Sequence, residues 1–365
     1  MSLKIGIVGL PNAGKSTLFN ALTAANVPVA SYPFTTIEPN LGVVSVSDLR
    51  LERIFALTGS ERAVPATVEF VDIAGLVKGA SHGEGLGNQF LGHIRNTDAV
   101  ILVVRCFQDS DVPAVSPDSD PVVDIGILDT ELALADLATI EHRIEKVQGQ
   151  AKAQPREYAE ELAFLNRLRS ELETGNHIRR LQIDPQEQVL LAQLNVLTAK
   201  PRLLVANVGE EDLPDGSVIS DEVCRIAEAD GAACVVLCAQ VEAELAAWPA
   251  EDANAYRAEL GLSESGRDTL IRASYRLLDL VTFFTATGSK EVRAWALPAG
   301  TPAIEAAGRI HTDMQRGFIR AEVVSYTDLD ALGSFSAARD RGLLRLEGRD
   351  YIVQDGDVVH FRFNV

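Results

Sequence analysis

Gly9-Leu10-Pro11-Asn12-Ala13-Gly14-Lys15-Ser16 follow the pattern G-x-x-x-x-G-K-S. Two glycines let the backbone curl until successive N–H groups point inward, a shape that cradles a chain of phosphates. Lys15 reaches the β- and γ-phosphates, where it both binds and assists transfer, and the Ser16 hydroxyl is a ligand for Mg²⁺. Asn12, Ala13, Gly14 and Thr17 complete the expected phosphate contacts. The pattern points to a nucleoside triphosphate without naming the base.

A second group follows in Asp72-Ile73-Ala74-Gly75. An aspartate at a strand end beside the phosphate loop holds Mg²⁺ through water, and the glycine brings a backbone N–H to the γ-phosphate. Between the two groups lies Ser31-Tyr32-Pro33-Phe34-Thr35-Thr36-Ile37-Glu38-Pro39. A threonine here completes the Mg²⁺ shell when triphosphate is bound, which makes the segment a switch; Thr36 is the expected ligand and Thr35 the alternative. Residues 79–88 carry four glycines around His82 and are expected to order on the γ-phosphate.

The base-reading end departs from ordinary GTPases. There a strand ends in N-K-x-D, and the aspartate accepts hydrogen bonds from guanine N1–H and the amine at C2. Here the corresponding strand ends in Asn207-Val208-Gly209-Glu210. Adenine has neither of those donors. The longer Glu210 shifts its carboxylate from the guanine-reading position, while Asn207 still meets N7, common to both purines. Val208 offers an apolar shelf, and Cys238-Ala239-Gln240 falls where a base-flanking turn is expected. ATP is the expected ligand, with a GTP-specific site as the alternative.

These groups need a scaffold that aligns strand ends. Residues 4–8 read as a short buried strand and 17–22 as the helix whose N-terminus faces the anion. Residues 67–72 and 99–104 are further strands, the second almost wholly apolar, as in a parallel sheet covered on both faces. From about 129 the period changes: Leu137, Ile140, Ile144 and Val147 step by three and four. A break around Pro155 precedes a second stripe, Tyr158, Leu162, Leu165 and Leu172, so an antiparallel helical hairpin is expected. Asp184-Pro185 opens a further helix, expected to run to about Ala199. Strands at 202–206 and 233–237 then resume the sheet.

After residue 280 the pattern becomes short strands, at 281–287, 291–297, 319–325, 350–353 and 358–363, with one helix at 301–311 and a tight turn at Asp355-Gly356-Asp357. The expected division is an α/β nucleotide domain at 1–128 and 200–280, a helical insertion at 129–199, and a mixed-sheet domain at 281–365.

The chain has 365 residues and a net charge of −19. Such a charge argues against general nucleic-acid coating. From Val281 onward ten Lys/Arg meet eleven Asp/Glu, so the C-terminal region alone is poised to face an anionic surface. No apolar run is long enough for a bilayer, and the N-terminus lacks a secretory layout, so a cytoplasmic protein is expected. Cys106, Cys224, Cys234 and Cys238 lack metal-ligand spacing and read as free thiols.

Taken together these residues resemble the YchF/Obg-like ATPase family, within the Obg-related translational GTPases. The likeness runs through residues 9–17, 34–40, 72–80, 83–90, 290–295, 317–322 and 350–357. It implies a P-loop G domain with a helical insertion and a C-terminal β-grasp domain of the TGS type. It implies a slow ATPase that prefers ATP to GTP and associates with ribosomes as a translational or stress-related switch. Leu76 stands where Ras-like proteins place a water-orienting Gln, and Ala114 where some relatives carry a catalytic His. His82 is the nearest histidine able to serve instead. Asn12 matches a loop asparagine that ligates K⁺ in some relatives. Lys290, Arg293, Arg316 and Arg320 are the expected contacts to ribosomal RNA. A non-catalytic interaction protein that uses nucleotide only as a structural ligand is the alternative of a different class.

Overall fold

The computed structural model describes residues 3–23, 40–73, 86–109, 120–152, 154–287 and 290–364. The strands among them are, in chain order, β1 (Lys4–Val8), β2 (Asn40–Ser45), β3 (Arg62–Val64), β4 (Thr67–Asp72), β5 (Ala99–Arg105), β6 (Arg202–Asn207), β7 (Ala233–Leu237), β8 (Leu280–Thr287), β9 (Glu291–Pro298), β10 (Phe318–Ser325), β11 (Arg345–Glu347) and β12 (Asp357–Phe363). They form two six-stranded sheets, ordered β2-β4-β1-β5-β6-β7 and β11-β10-β12-β8-β9-β3.

In the first sheet β1 pairs in parallel with β4 and β5, and β6 pairs in parallel with β5 and β7. Every residue of β5 and β6 is buried, as a parallel sheet covered on both faces requires. The parallel order places the carboxyl ends of β1, β5, β6 and β7 on one edge. Ligands of open α/β sheets bind at that edge.

The helical insertion begins earlier than its periodicity suggests. One helix spans Pro121–Ala151, started by the Asp120 side chain accepting from the Val122 N–H and by proline in the first turn. It packs Ile140, Ile144 and Val147 against Phe164, Leu165 and Leu168 of the returning helix, Ala159–Glu173. The following helix, Pro185–Leu194, stops short of 199 at Asn195, whose φ of 49° is left-handed. Residues beyond it serve Asp136 instead. The buried Asp136 carboxylate accepts from the N–H groups of Leu197 and Thr198, each at 2.7 Å. A buried carboxylate must be satisfied this way, and those donors cannot also extend a helix.

The chain forms two compact units, Leu3–Gly42 with Glu69–Ala273, and Val43–Val68 with Ser274–Val365. The stretch 43–68 therefore groups with the C-terminal unit, although sequence order assigns it to the nucleotide domain. The cause is pairing: β3 runs parallel to β9, with Arg62 opposite Glu291. Helix Leu49–Thr58 also lays Leu51 and Ile54 against Phe284, Val292 and Ala294.

The helix expected at 301–311 is present as Ala303–Ile310, and the His311 side chain caps a second short helix beyond it, Thr312–Arg316. The strand expected at 350–353 is corrected, for those residues form none. The buried Asp357 carboxylate accepts from the Tyr351 hydroxyl at 2.7 Å and the Gln354 N–H at 2.9 Å, which folds the segment into a turn. Ile352 keeps only an isolated bridge to Pro302.

The cysteine expectation is also corrected. Cys224 and Cys234 form a disulfide with Cα atoms 5.2 Å apart, while Cys106 and Cys238 are free and buried. The reversal from helix Val218–Ala229 into β7 brings the pair together, a proximity that linear spacing does not show. Burial pushes the Cys106 thiol up to about 12 and raises that of Cys238, so both stay protonated. Among the described residues no helix is long and apolar enough to cross a membrane.

Candidate nucleotide-binding site

The phosphate loop leaves β1 and enters helix Lys15–Thr23. Two glycines explain its shape. A Cβ on Gly9 would lie 2.5 Å from the Val103 carbonyl oxygen. Gly14 has φ 92°, and a Cβ there would collide with the Asn207 amide. The Lys15 ammonium is buried and donates to the Leu10 carbonyl at 2.7 Å, folding back over the loop. Its burial lowers its pKa, opposed by the negative Asp72. A phosphate arriving here would restore the charge balance of a desolvated cation.

The Ser16 hydroxyl donates to Asp72 Oδ2 at 3.0 Å, at the carboxyl end of β4. The other oxygen, Asp72 Oδ1, is buried and has no hydrogen-bond partner among the described residues. A hydroxyl, a half-satisfied carboxylate and a neighbouring phosphate site form an all-oxygen donor set, which fits Mg²⁺. Thr36, its alternative Thr35, Gly75, Leu76, His82 and Ala114 lie outside the described residues.

The loop opens into a cavity of about 460 Å³. Of the residues expected from the sequence, Asn12, Gly14, Lys15, Ser16, Thr17, Asn207, Val208, Glu210, Cys238, Ala239 and Gln240 all line it. Ala13 contributes its carbonyl. Asn207 holds the two ends together: its amide donates to the Ala13 carbonyl at 3.0 Å, and its Oδ1 accepts from the Ala239 N–H at 2.9 Å. Asn207 itself is buried at the end of β6.

Glu210 opens a single turn of 3₁₀ helix, Glu210–Asp212. Its carboxylate Oε1 accepts from the hydroxyl of Tyr256 on helix Ala250–Glu259. Tyr256 was not anticipated, because nothing in its local sequence marks it and 46 residues separate the pair.

Phe107, Gln108, Asp109, Glu211 and Glu244 also line the cavity and were not singled out from the sequence. The first three follow β5 directly, so the rule that ligands sit beyond parallel strand ends does point to them. The Arg105 guanidinium stacks 4.2 Å above the Phe107 ring and reaches the Asn12 carbonyl at 3.3 Å. It buttresses the loop at Asn12.

Comparison with known proteins agrees with this architecture. Residues 4–126 match a family model described as a 50S ribosome-binding GTPase. Residues 280–364 match the model for the C-terminal region of YchF GTPases, described as a protein of unknown function. The chain is 49% identical over 368 residues to the Ribosome-binding ATPase YchF of Bacillus subtilis (strain 168), with all of both chains covered. It is 50% identical to that of Haemophilus ducreyi over 365 residues, again with full coverage. The solved structure of the Schizosaccharomyces pombe YchF GTPase superposes with a TM-score of 0.88 at 34% identity, covering 99% of this chain and 98% of that one. The α/β P-loop fold, with a mostly parallel sheet and a C-terminal region that has its own sheet, is thus shared across that length.

Proposed function

The chain belongs to the YchF family, and we propose on that footing that it is a ribosome-associated ATPase that works as a slow nucleotide switch. It binds ATP in preference to GTP and hydrolyses it to ADP and phosphate. The bacterial relatives are named ribosome-binding ATPases, whereas the fission-yeast relative is described as a GTPase. The base end of the cavity supports the ATP reading. Glu210 stands where a guanine reader has Asp. Guanine needs acceptors for its N1–H and C2 amine, and adenine does not.

Chain residues divide the work. Lys15 and the loop N–H groups hold the phosphates, and Ser16 and Asp72 would hold Mg²⁺, with Thr36 completing its shell. That ion would screen the charge building on the phosphate oxygens. Gly75 meets the γ-phosphate, and His82 is the proposed histidine beside it. With Leu76 in place of a water-orienting Gln, intrinsic turnover is slow. Asn12 is the proposed K⁺ ligand, which equal turnover in Na⁺ and K⁺ buffers would remove.

The proposed domains are the G domain, its helical insertion and a C-terminal TGS domain of β-grasp type, in a cytoplasmic protein acting on the large subunit or the 70S ribosome. Arg316 and Arg320 are exposed, as is Lys290. Arg293 is more committed, stacked 5.0 Å over Trp295 and paired with Glu291 at 3.3 Å. These four side chains are the proposed contacts to ribosomal RNA. Their neutralisation should lower ribosome co-sedimentation and flatten its salt dependence.

Direct binding of ATP and GTP, with single-turnover hydrolysis with and without ribosomes, tests the whole reading. Tighter ATP binding and ribosome-stimulated turnover are expected. Tighter GTP binding overturns the base assignment. Turnover indifferent to ribosomes, with partner binding indifferent to nucleotide, favours a non-catalytic interaction protein.

A further inference from the structure

Side-chain length alone is a weak selector against guanine. A glutamate has three rotatable side-chain bonds, and an untethered one can fold back to reach a base edge for a modest entropic cost. In this protein Glu210 is not untethered. The Tyr256 hydroxyl donates to its Oε1. The tyrosine ring is itself held, packed against the buried cluster of Cys238, Val241, Leu245 and Ala253, with its centroid 5.5 Å from that of Trp248. Helix Ala250–Glu259 therefore fixes where the hydroxyl sits, and the hydroxyl fixes one carboxylate oxygen. The Glu210 carboxylate raises the phenol's pKa, so Tyr256 remains a protonated donor at neutral pH.

We infer that Tyr256 is a specificity-determining positioning residue: by tethering Glu210 Oε1, it holds the carboxylate out of the orientation in which both oxygens would accept from guanine's N1–H and C2 amine. Adenine presents neither donor, so the tether costs ATP nothing at this edge. The inference rests on the ATP preference proposed above and assigns its cause to a pair joined across the fold rather than to Glu210 alone.

The test measures ATP, GTP and ITP affinities by competition against one fluorescent nucleotide, for the full chain and for Tyr256→Phe, Glu210→Gln and the double variant. Phenylalanine keeps the ring and its packing while removing the donor. Release of a hydrogen bond to a charged group should tighten GTP relative to ATP by about tenfold or more in Tyr256→Phe. ITP keeps the N1–H but lacks the C2 amine, so its gain should be smaller. In the Glu210→Gln background the hydroxyl loss should leave the GTP-to-ATP ratio where it stands. A merely structural role would shift all three nucleotides together, and that outcome overturns the inference. An ATP-preferring parent whose ratio does not move in Tyr256→Phe also overturns it and leaves the ATP reading intact. A parent that binds GTP as tightly as ATP removes the ATP reading itself, and the inference with it.

Discussion

The proposed phosphate end and the proposed base end of the cavity are built by different means. At the phosphate end, contiguous residues from Gly9 to Ser16 carry the shape in their own backbone, and Asp72 is brought from β4 to meet Ser16. At the base end Phe107, Asn207, Glu210 and Ala239 come from the carboxyl ends of β5, β6 and β7 or just past them, and Tyr256 from a helix further on. A phosphate chain is the same in every nucleotide, so a local device suffices to hold it. Bases differ only in the donors and acceptors on their edges, and reading them takes side chains placed from several directions.

Substitutions can break or sharpen this contrast. Lys15→Ala removes charge-assisted hydrogen bonds worth about 1.5–3 kcal/mol each, so affinity for ATP and GTP should fall together by about a hundredfold or more. Isothermal titration of both nucleotides checks this; loss of one alone would mean the phosphate end also reads the base. Asn207→Ala removes the two hydrogen bonds that join the ends, together about 2 kcal/mol, and should weaken both nucleotides about thirtyfold. A change in base preference without that common loss would show the ends to be independent.

Asp72→Asn should raise the Mg²⁺ concentration needed for half-maximal turnover by about tenfold, because a neutral amide is a poorer partner for a hydrated dication. ADP binding without Mg²⁺ should move little, and a large loss there would assign Asp72 a structural role in the loop instead. The smallest effect is expected from Glu210→Asp. The shorter side chain leaves Tyr256 and moves toward the guanine-reading position, so the GTP-to-ATP affinity ratio should rise about threefold. An unchanged ratio would mean that Glu210 takes no part in base choice.

Legibility followed the same division. Gly9, Gly14, Lys15 and Ser16 were readable because each has a role set by its neighbours in the chain, and the buried runs of β5 and β6 were readable because two covered faces demand unbroken apolar residues. Asn207 and Glu210 were readable only by analogy with a motif at a strand end. Tyr256, the Asp136 carboxylate that ends a helix, and the Cys224–Cys234 disulfide were not readable, since each depends on a partner that approaches only after folding. The stretch 43–68 shows the same limit, because strand β3 gives no local sign that its partner is β9, more than two hundred residues later.

The sequence by itself determined a phosphate-loop motif on a mostly parallel α/β sheet, because backbone curvature, glycine placement and apolar periodicity are local properties. Only the tertiary structure decided how the base end is assembled. Asn207 spans from Ala13 to Ala239, and Tyr256 holds one oxygen of Glu210, because the sheet and a distant helix place those atoms within hydrogen-bonding reach.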